Sequence, residues 1–309
     1  MHYELIINPA AGSGTGKQIG NIITNYLTEH HISFNAQASQ AAGQPRELAH
    51  RLAQNHPATT CVIVVGGDGT LHEVITGLLL TSQEQPLPVA YIPAGTGNDF
   101  ARGYGIANQP LAALQQILNN DHPTFINVGH FHDGQQEGIF LNNFGTGFDA
   151  AIVHRTNTSR IKRLLNHLHL GTLSYVANTL SVLIHQRPFE VTITDDQQHK
   201  FTHAFLVVTS NHPFIGGGIK IAPDQEVTKE EVELVVLEKH DPLTLLGSII
   251  MFALGYVTSS RFAHVFRATH LHYQVRPAQY GQIDGEELGK KTYDLQIDCR
   301  SYPMWEQRL

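Results

Sequence analysis

The 309-residue chain reads as an α/β protein with two domains, a doubly wound parallel sheet followed by a mainly antiparallel unit. Three observations predict this. From Tyr3 to about Pro123, β-rich runs alternate with helical patterns, the signature of a parallel sheet. Beyond Pro123 short strands follow one another, separated by turn residues, as in antiparallel structure. A length of 309 residues also exceeds what one hydrophobic core usually serves. The expected units are residues 1–123 and 124–299, with the tail 300–309 free to pack back on the first.

In order, the first unit reads as strand "YELIIN" (3–8), helix Lys17 to His30, strand "ISFNAQA" (32–38) and helix Arg46 to Asn55. Strand "CVIVV" (61–65), helix Leu71 to Leu80, strand "PVAYIPA" (88–94) and helix Leu111 to Asn119 complete it. The "CVIVV" run is apolar throughout, as a strand covered on both faces must be. The second unit reads as strands "FINVGHF", "GIFLNNF", "FEVTITD", "HAFLVVTS", "VELVVLE", "THLHYQV" and "YDLQIDC", with helical stretches near 151–185 and 242–256.

Composition excludes several classes. Hydrophobic content of 41% and charged content of 15% describe a folded globular chain, not a disordered one. A net charge of −7 without a basic run argues against a nucleic-acid partner, so any anion site is local. Cys61 and Cys299 form no disulfide framework and suit a reducing cytoplasm. The 20 histidines include no HExxH and no Cys/His zinc spacing. "MHYELIINPAAG" lacks the layout of a signal peptide, and "LSYVANTLSVLI" (173–184) is too short to span a bilayer.

Three turns carry the chemistry. "NPAAGSGTGK" (8–17) links a strand to a helix, where amides and the helix dipole can hold a phosphate. It is neither a Walker A loop, since Ala11 stands where the first glycine belongs, nor a Rossmann fingerprint, since Lys17 replaces the third. "GGDGT" (66–70) repeats the geometry: Gly66, Gly67 and Gly69 expose amides, Asp68 sits at the carboxyl edge of the sheet, and Thr70 with Glu73 suggests a capping box. "PAGTGNDFAR" (93–102) is a third such turn, with Thr96, Asn98 and Asp99. "QIDGEELG" (282–289), taken alone, reads as a tight Asp-Gly hairpin.

Together "NPAAGSG", "VVGGDGTLHEVITGL", "PAGTGNDFAR", "NNFGTGFDA", "GGGIKIAP" and "IDGE" occur in the order seen in the bacterial diacylglycerol kinase-like lipid kinases, which the chain resembles over nearly its whole length. These are relatives of the sphingosine and ceramide kinases, and GGDGT alone is shared with NAD kinases and phosphofructokinases. The resemblance implies a nucleotide-binding first domain, a β-sandwich second domain and a lipid headgroup between them. It assigns Asn8, Pro9, Ala10, Ala11, Gly12, Ser39, Gly66, Gly67, Asp68, Gly69, Thr70, Leu71, His72, Glu73 and Thr96 to ATP. Asp68 would hold catalytic Mg²⁺, and Glu286, with Asp284 second, would accept the hydroxyl proton.

One departure stands out. Where many relatives place a Mg²⁺-binding aspartate, the run "IAPDQEVTKEEVELVV" aligns Lys229, whose ammonium repels a divalent ion and can bond the same carbonyls. Glu226 and Glu231 are the neighbouring fallback ligands. Arg155, Arg160, Lys162 and Arg163 precede an apolar stretch, an arrangement suited to peripheral contact with the inner face of a membrane. The expectation is an ATP- and Mg²⁺-dependent kinase making phosphatidic acid from diacylglycerol. An NAD kinase-like phosphotransferase acting on a soluble hydroxyl and an inactive nucleotide-responsive binding protein stand as rivals, and the oligomeric state is open, a homodimer included.

Overall fold

The computed structural model describes residues 1–56, 60–80, 86–158, 182–195, 197–241, 245, 247, 248, 250, 251 and 254–306. β1 (His2–Ile7) pairs in parallel with β2 (Phe34–Ala38) on one side and β3 (Thr60–Gly66) on the other, and β4 (Val89–Pro93) extends the sheet beyond β3. The crossovers are α1 (Thr15–Glu29), α2 (Gln44–Gln54) and α3 (Asp68–Leu79). α1 turns Ile19, Ile23 and Leu27 inward at four-residue spacing, one stripe of an amphipathic helix. Every residue of β3 is buried, so the unbroken apolar run reflects cover on both faces. The order β2-β1-β3-β4 reverses direction between β1 and β3, which opens a crevice at their carboxyl ends.

α4 (Asp99–Tyr104) and α5 (Pro110–Leu118) complete the first unit, and the chain then turns antiparallel. β5 (Thr124–His132), β6 (Glu137–Phe140), β7 (Asn143–Gly147) and α6 (Phe148–Thr158) precede β8 (Phe189–Thr194) and β9 (Gln198–Ser210). A small hairpin of β10 (Phe214–Ile215) and β11 (Ile219–Lys220) follows, then β12 (Val232–Glu238), β13 (Ala263–Ala268), β14 (Leu271–Ile283) and β15 (Glu286–Met304). The antiparallel strands bury two apolar clusters, one around Phe144, Val207, Tyr273 and Leu295, the other around Phe148, Phe205, Val208 and Val235.

β15 joins the two units. It pairs with β14, then with β5, and at Met304 meets Val89 of β4 in parallel, giving one 13-stranded ladder. Tyr302, Met304 and Trp305 pack into the core of the first unit. Among the described residues no helix is long and apolar enough to cross a membrane.

Several expectations are corrected. "GIFLNNF" is two strands, because the N–H groups of Leu141 and Asn142 leave the ladder for the carboxylate of Asp284. α3 begins at Asp68 with no side-chain cap, and the capping box does not form. Thr70 is engaged by the Asn8 side chain, and Glu73 accepts the N–H of Gly43. α4, β10, β11 and β13 were not legible as elements. Of the stretch 151–185, the described parts are α6 and helical residues 182–185, while 159–181, with Arg160, Lys162 and Arg163, lies outside the described residues. Of 242–256, residues 245, 247, 248, 250 and 251 are described as helical.

Candidate functional site

The three glycine-rich turns meet at the crevice between β1 and β3. Gly12, at φ +56°, lies so close to the third turn that a Cβ would stand 2.3 Å from the Ala94 carbonyl oxygen. A Cβ on Gly95 would stand 2.7 Å from the Gly67 Cα, so these backbones touch directly. Asn8 ties the first two turns together, donating its amide to Thr70 Oγ1 at 2.9 Å and accepting the Ala10 N–H at 3.1 Å. Asn98 closes the third, accepting the Gly95 N–H at 2.9 Å.

A cavity of about 540 Å³ opens over these turns, a size suited to a nucleotide. Of the residues assigned to it, Asn8, Ala10, Ala11, Gly12, Ser39, Gly67, Gly69, Thr70 and Glu73 line it. The others lie elsewhere. Gly66 ends β3 against Thr70, Leu71 is buried in the core, and His72 Nε2 lies 3.1 Å from the Ile139 carbonyl. Thr96 is exposed, and neither it nor Pro9 lines the cavity.

A second cavity, of about 390 Å³, lies across the GGDGT turn. Asp68, Asp99, Asp149 and Asp284 line it together with Phe148, Ile152, Ile215 and Ile219. Asp68 accepts the N–H of Asp99 at 3.0 Å and of Phe100 at 3.2 Å. Burial, and then the charges of Asp99 and Asp284, push its carboxyl up to about 6 against the pull of those two hydrogen bonds. Asp99 is bridged by Arg102 at 2.5 Å and by the N–H of Gly217 at 2.8 Å, which ties the β10–β11 loop to the first unit.

Asp284 and Gly285 form the two-residue turn between β14 and β15, both at positive φ. The Asp284 carboxylate accepts three backbone N–H groups, from Leu141, Asn142 and Asn143 at 2.8 to 3.0 Å. Glu286, two residues on, lines the nucleotide-sized cavity instead. The structure therefore separates the two carboxylates that the sequence grouped. The charge of Glu286, after burial, helps raise the Glu73 carboxyl above its ordinary range.

Asp149 received no role from the sequence. Its Oδ2 accepts the Gln282 amide at 2.9 Å, and the same amide donates to Asn143 Oδ1 at 2.6 Å. Its Oδ1 is buried with no hydrogen-bond partner among the described residues, and burial raises the carboxyl to about 6. The signal was present in "GTGFDA", an acid after a Gly-rich strand end, as in GGDGT. Gly145 is required beside it, since a Cβ there would collide with the Asp149 carboxylate.

Lys229 donates its ammonium to the Asp224 carbonyl at 2.5 Å. Glu226 is exposed and Glu231 half-buried in the same loop, and neither lines either cavity. Among the described residues no three His, Cys, Asp or Glu side chains converge on a metal-sized site.

A glycine-built nucleotide-sized cavity that shares one turn with a carboxylate-lined apolar cavity defines a phosphotransferase-like class. Residues 2–130 match the diacylglycerol kinase catalytic domain, and residues 142–301 match the YegS C-terminal NAD kinase beta sandwich-like domain. The chain belongs to the diacylglycerol kinase-like lipid kinase family. It is similar to the Bacillus subtilis protein named "Putative lipid kinase YtlR", 29% identical over 302 residues, with 95% of this chain and 96% of the relative covered. A Bacillus subtilis diacylglycerol kinase is 26% identical over 288 residues, covering 93% and 90%. The crystal structure of a diacylglycerol kinase from Bacillus anthracis superposes with a TM-score of 0.70 over 99% of this chain and 97% of that one; at 20% identity it speaks for the fold alone.

Proposed function

We propose that the protein transfers the γ-phosphate of ATP to the free hydroxyl of a membrane lipid, diacylglycerol first. The observation that carries this reading is that one turn serves both cavities: Gly67 and Gly69 line the nucleotide-sized one and Asp68 the apolar one. Phosphoryl transfer is chiefly positioning and charge stabilisation, which such a shared wall supplies.

The geometry favours exchanging the two roles drawn from the resemblance. Asp68 faces the cavity where a lipid hydroxyl would enter, and a carboxyl near 6 suits a proton acceptor at neutral pH. Glu286 and Glu73 line the nucleotide side; their hard oxygens would hold Mg²⁺, whose charge would neutralise the phosphate oxygens. Asp284, occupied by three N–H groups, shapes the cavity. Asp149, with a free oxygen lone pair, contacts the polar headgroup.

The test is radiolabelled ATP presented with diacylglycerol in mixed micelles, with NAD, or with buffer. Label in phosphatidic acid is expected. Label in NADP would replace the lipid reading with a soluble acceptor, and label in neither would remove the kinase reading for both.

A further inference from the structure

The end of β15 completes the parallel sheet of the first unit with a side chain. Met304 meets Val89 in parallel, and the Trp305 N–H donates to the Val89 carbonyl at 2.7 Å. A continuing ladder would next offer a backbone carbonyl, but here Oε2 of Glu306 accepts the Tyr91 N–H at 3.0 Å. Glu306 is fully buried, and its Oε1 has no hydrogen-bond partner among the described residues. Burial pushes its carboxyl well above the ordinary carboxylate range. A buried acid with an unsatisfied oxygen costs stability that an apolar side chain in its place would not.

Tyr91 carries this contact to the glycine turns. It is fully buried in β4, and its hydroxyl stands 3.2 Å from the Gly66 carbonyl oxygen and 3.4 Å from Asn98 Oδ1. The Gly66 carbonyl, at the entry to the GGDGT turn, also accepts the Ala94 N–H at 2.6 Å, and Asn98 closes the third turn through Gly95. The hydroxyl therefore sits where the second and third turns are joined. Tyr104 of α4 reaches the same tail residue, donating its hydroxyl to the Glu306 carbonyl at 3.2 Å. Phe100 lies against both tyrosines, edge-on to Tyr91 at 6.2 Å and stacked on Tyr104 at 5.8 Å. One aromatic wall thus runs from the tail to both turns.

We infer that Tyr91 and Glu306 are positioning residues for the nucleotide site, through which the C-terminal tail sets the spacing of the second and third glycine turns. Neither lines a cavity; both act through Gly66, Gly95 and Asn98. The spacing has little slack, because Gly67 and Gly95 already lie backbone to backbone. The N–H and the hydroxyl of Tyr91 belong to one stiff residue, so a shift of the tail is passed to the turns. A cradle built of backbone amides depends on such spacing, since a small misplacement is enough to lose productive geometry. The consequence for ATP rests on the nucleotide reading of the cavity; the coupling of tail to turns does not.

The experiment compares the full chain with Tyr91→Phe, Glu306→Gln, Glu306→Ala and the Tyr91→Phe/Glu306→Ala pair, by amide hydrogen exchange and by calorimetric titration with a non-hydrolysable ATP analogue. Tyr91→Phe keeps the ring and removes only the hydroxyl. Exchange across residues 66–70 and 93–98 should quicken about five-fold, the effect of one hydrogen bond, with β1 and β9 unchanged. Analogue affinity should fall by the same factor while KM for diacylglycerol holds. Glu306→Gln keeps an oxygen for the Tyr91 N–H and should behave as wild type, whereas Glu306→Ala should reproduce the Tyr91→Phe effect. The pair should do no more than the worse single change, because the two residues act in series. A tail that merely stabilises would quicken exchange throughout the first unit and leave analogue affinity at its wild-type value; that result overturns the inference, as does an unchanged Tyr91→Phe. Wild type that takes up no analogue removes the ATP reading, and the exchange pattern alone then decides the coupling.

Discussion

The backbone N–H of Asp99 donates to Oδ2 of Asp68 at 3.0 Å, so the acid of the second glycine turn closes the start of the helix that the third turn opens. The same carboxylate lines the acceptor cavity, which couples the alignment of two turns to the charge of one side chain.

Asp68→Asn should lower kcat about 100- to 10,000-fold while the protein stays folded, as loss of a general base does. In wild type the rate should fall tenfold per pH unit below about 6, where Asp68 becomes protonated. A variant with near-normal turnover would reduce Asp68 to a helix cap, as would a pH profile without that acid limb.

Glu286→Gln should behave differently, because Glu286 lines the nucleotide-sized cavity. The expected effect is a higher Mg²⁺ concentration for half-maximal rate, with the acid limb of the pH profile unmoved. A Mg²⁺ titration that overlays wild type would return the metal to Asp68.

Asp149→Asn should stabilise the protein at pH 7. Burial raises the folded carboxyl from 3.8 to about 6, so its contribution to stability is fully present below about 3.8 and is lost as pH rises through 6. That rise corresponds to at most about 3 kcal/mol at neutral pH. A neutral amide avoids that cost, so melting should rise by several degrees at pH 7 and converge with wild type near pH 4. Equal melting at both would show that the charge is compensated. If Asp149 meets the headgroup, the same variant should lose lipid affinity, read as a raised KM.

Gly95→Ala should push apart turns that now touch, since its Cβ would lie 2.7 Å from Gly67 Cα. A loss of about 1–3 kcal/mol is expected, with nucleotide affinity falling further than lipid affinity. Calorimetric titration with an ATP analogue measures it, and unchanged affinity would place the nucleotide away from these turns.

Lys229→Ala should lower the melting temperature by a few degrees, because it removes the ammonium from the Asp224 carbonyl and leaves a contact worth about 1 kcal/mol unmade. Lys229→Asp should make melting newly sensitive to Mg²⁺ through ligand linkage. Melting of that variant indifferent to Mg²⁺ would show that the loop carbonyls are not arranged for a cation.

The parallel half was legible because its signals are local. The apolar run of β3, the stripe of α1 and the glycine turns at 66–70 and 93–102 are each decided within a few residues. The antiparallel half was legible as strands but, apart from the Asp-Gly hairpin that joins β14 to β15, not as pairings, since β14 meets β7 and β8 through contacts far apart in sequence. β13 alternates exposed with half-buried residues at the edge of the ladder, so it carries little apolar signal.

The sequence by itself determined the α/β architecture and the family, because ordered turn motifs constrain backbone geometry wherever they occur. Only the tertiary structure decided which carboxylate faces which cavity. A tight turn at Asp284 and Gly285 sends Asp284 to the backbone of residues 141–143 and Glu286 to the nucleotide side. Asp149 gains its raised affinity for a proton from burial, which no neighbour in sequence supplies.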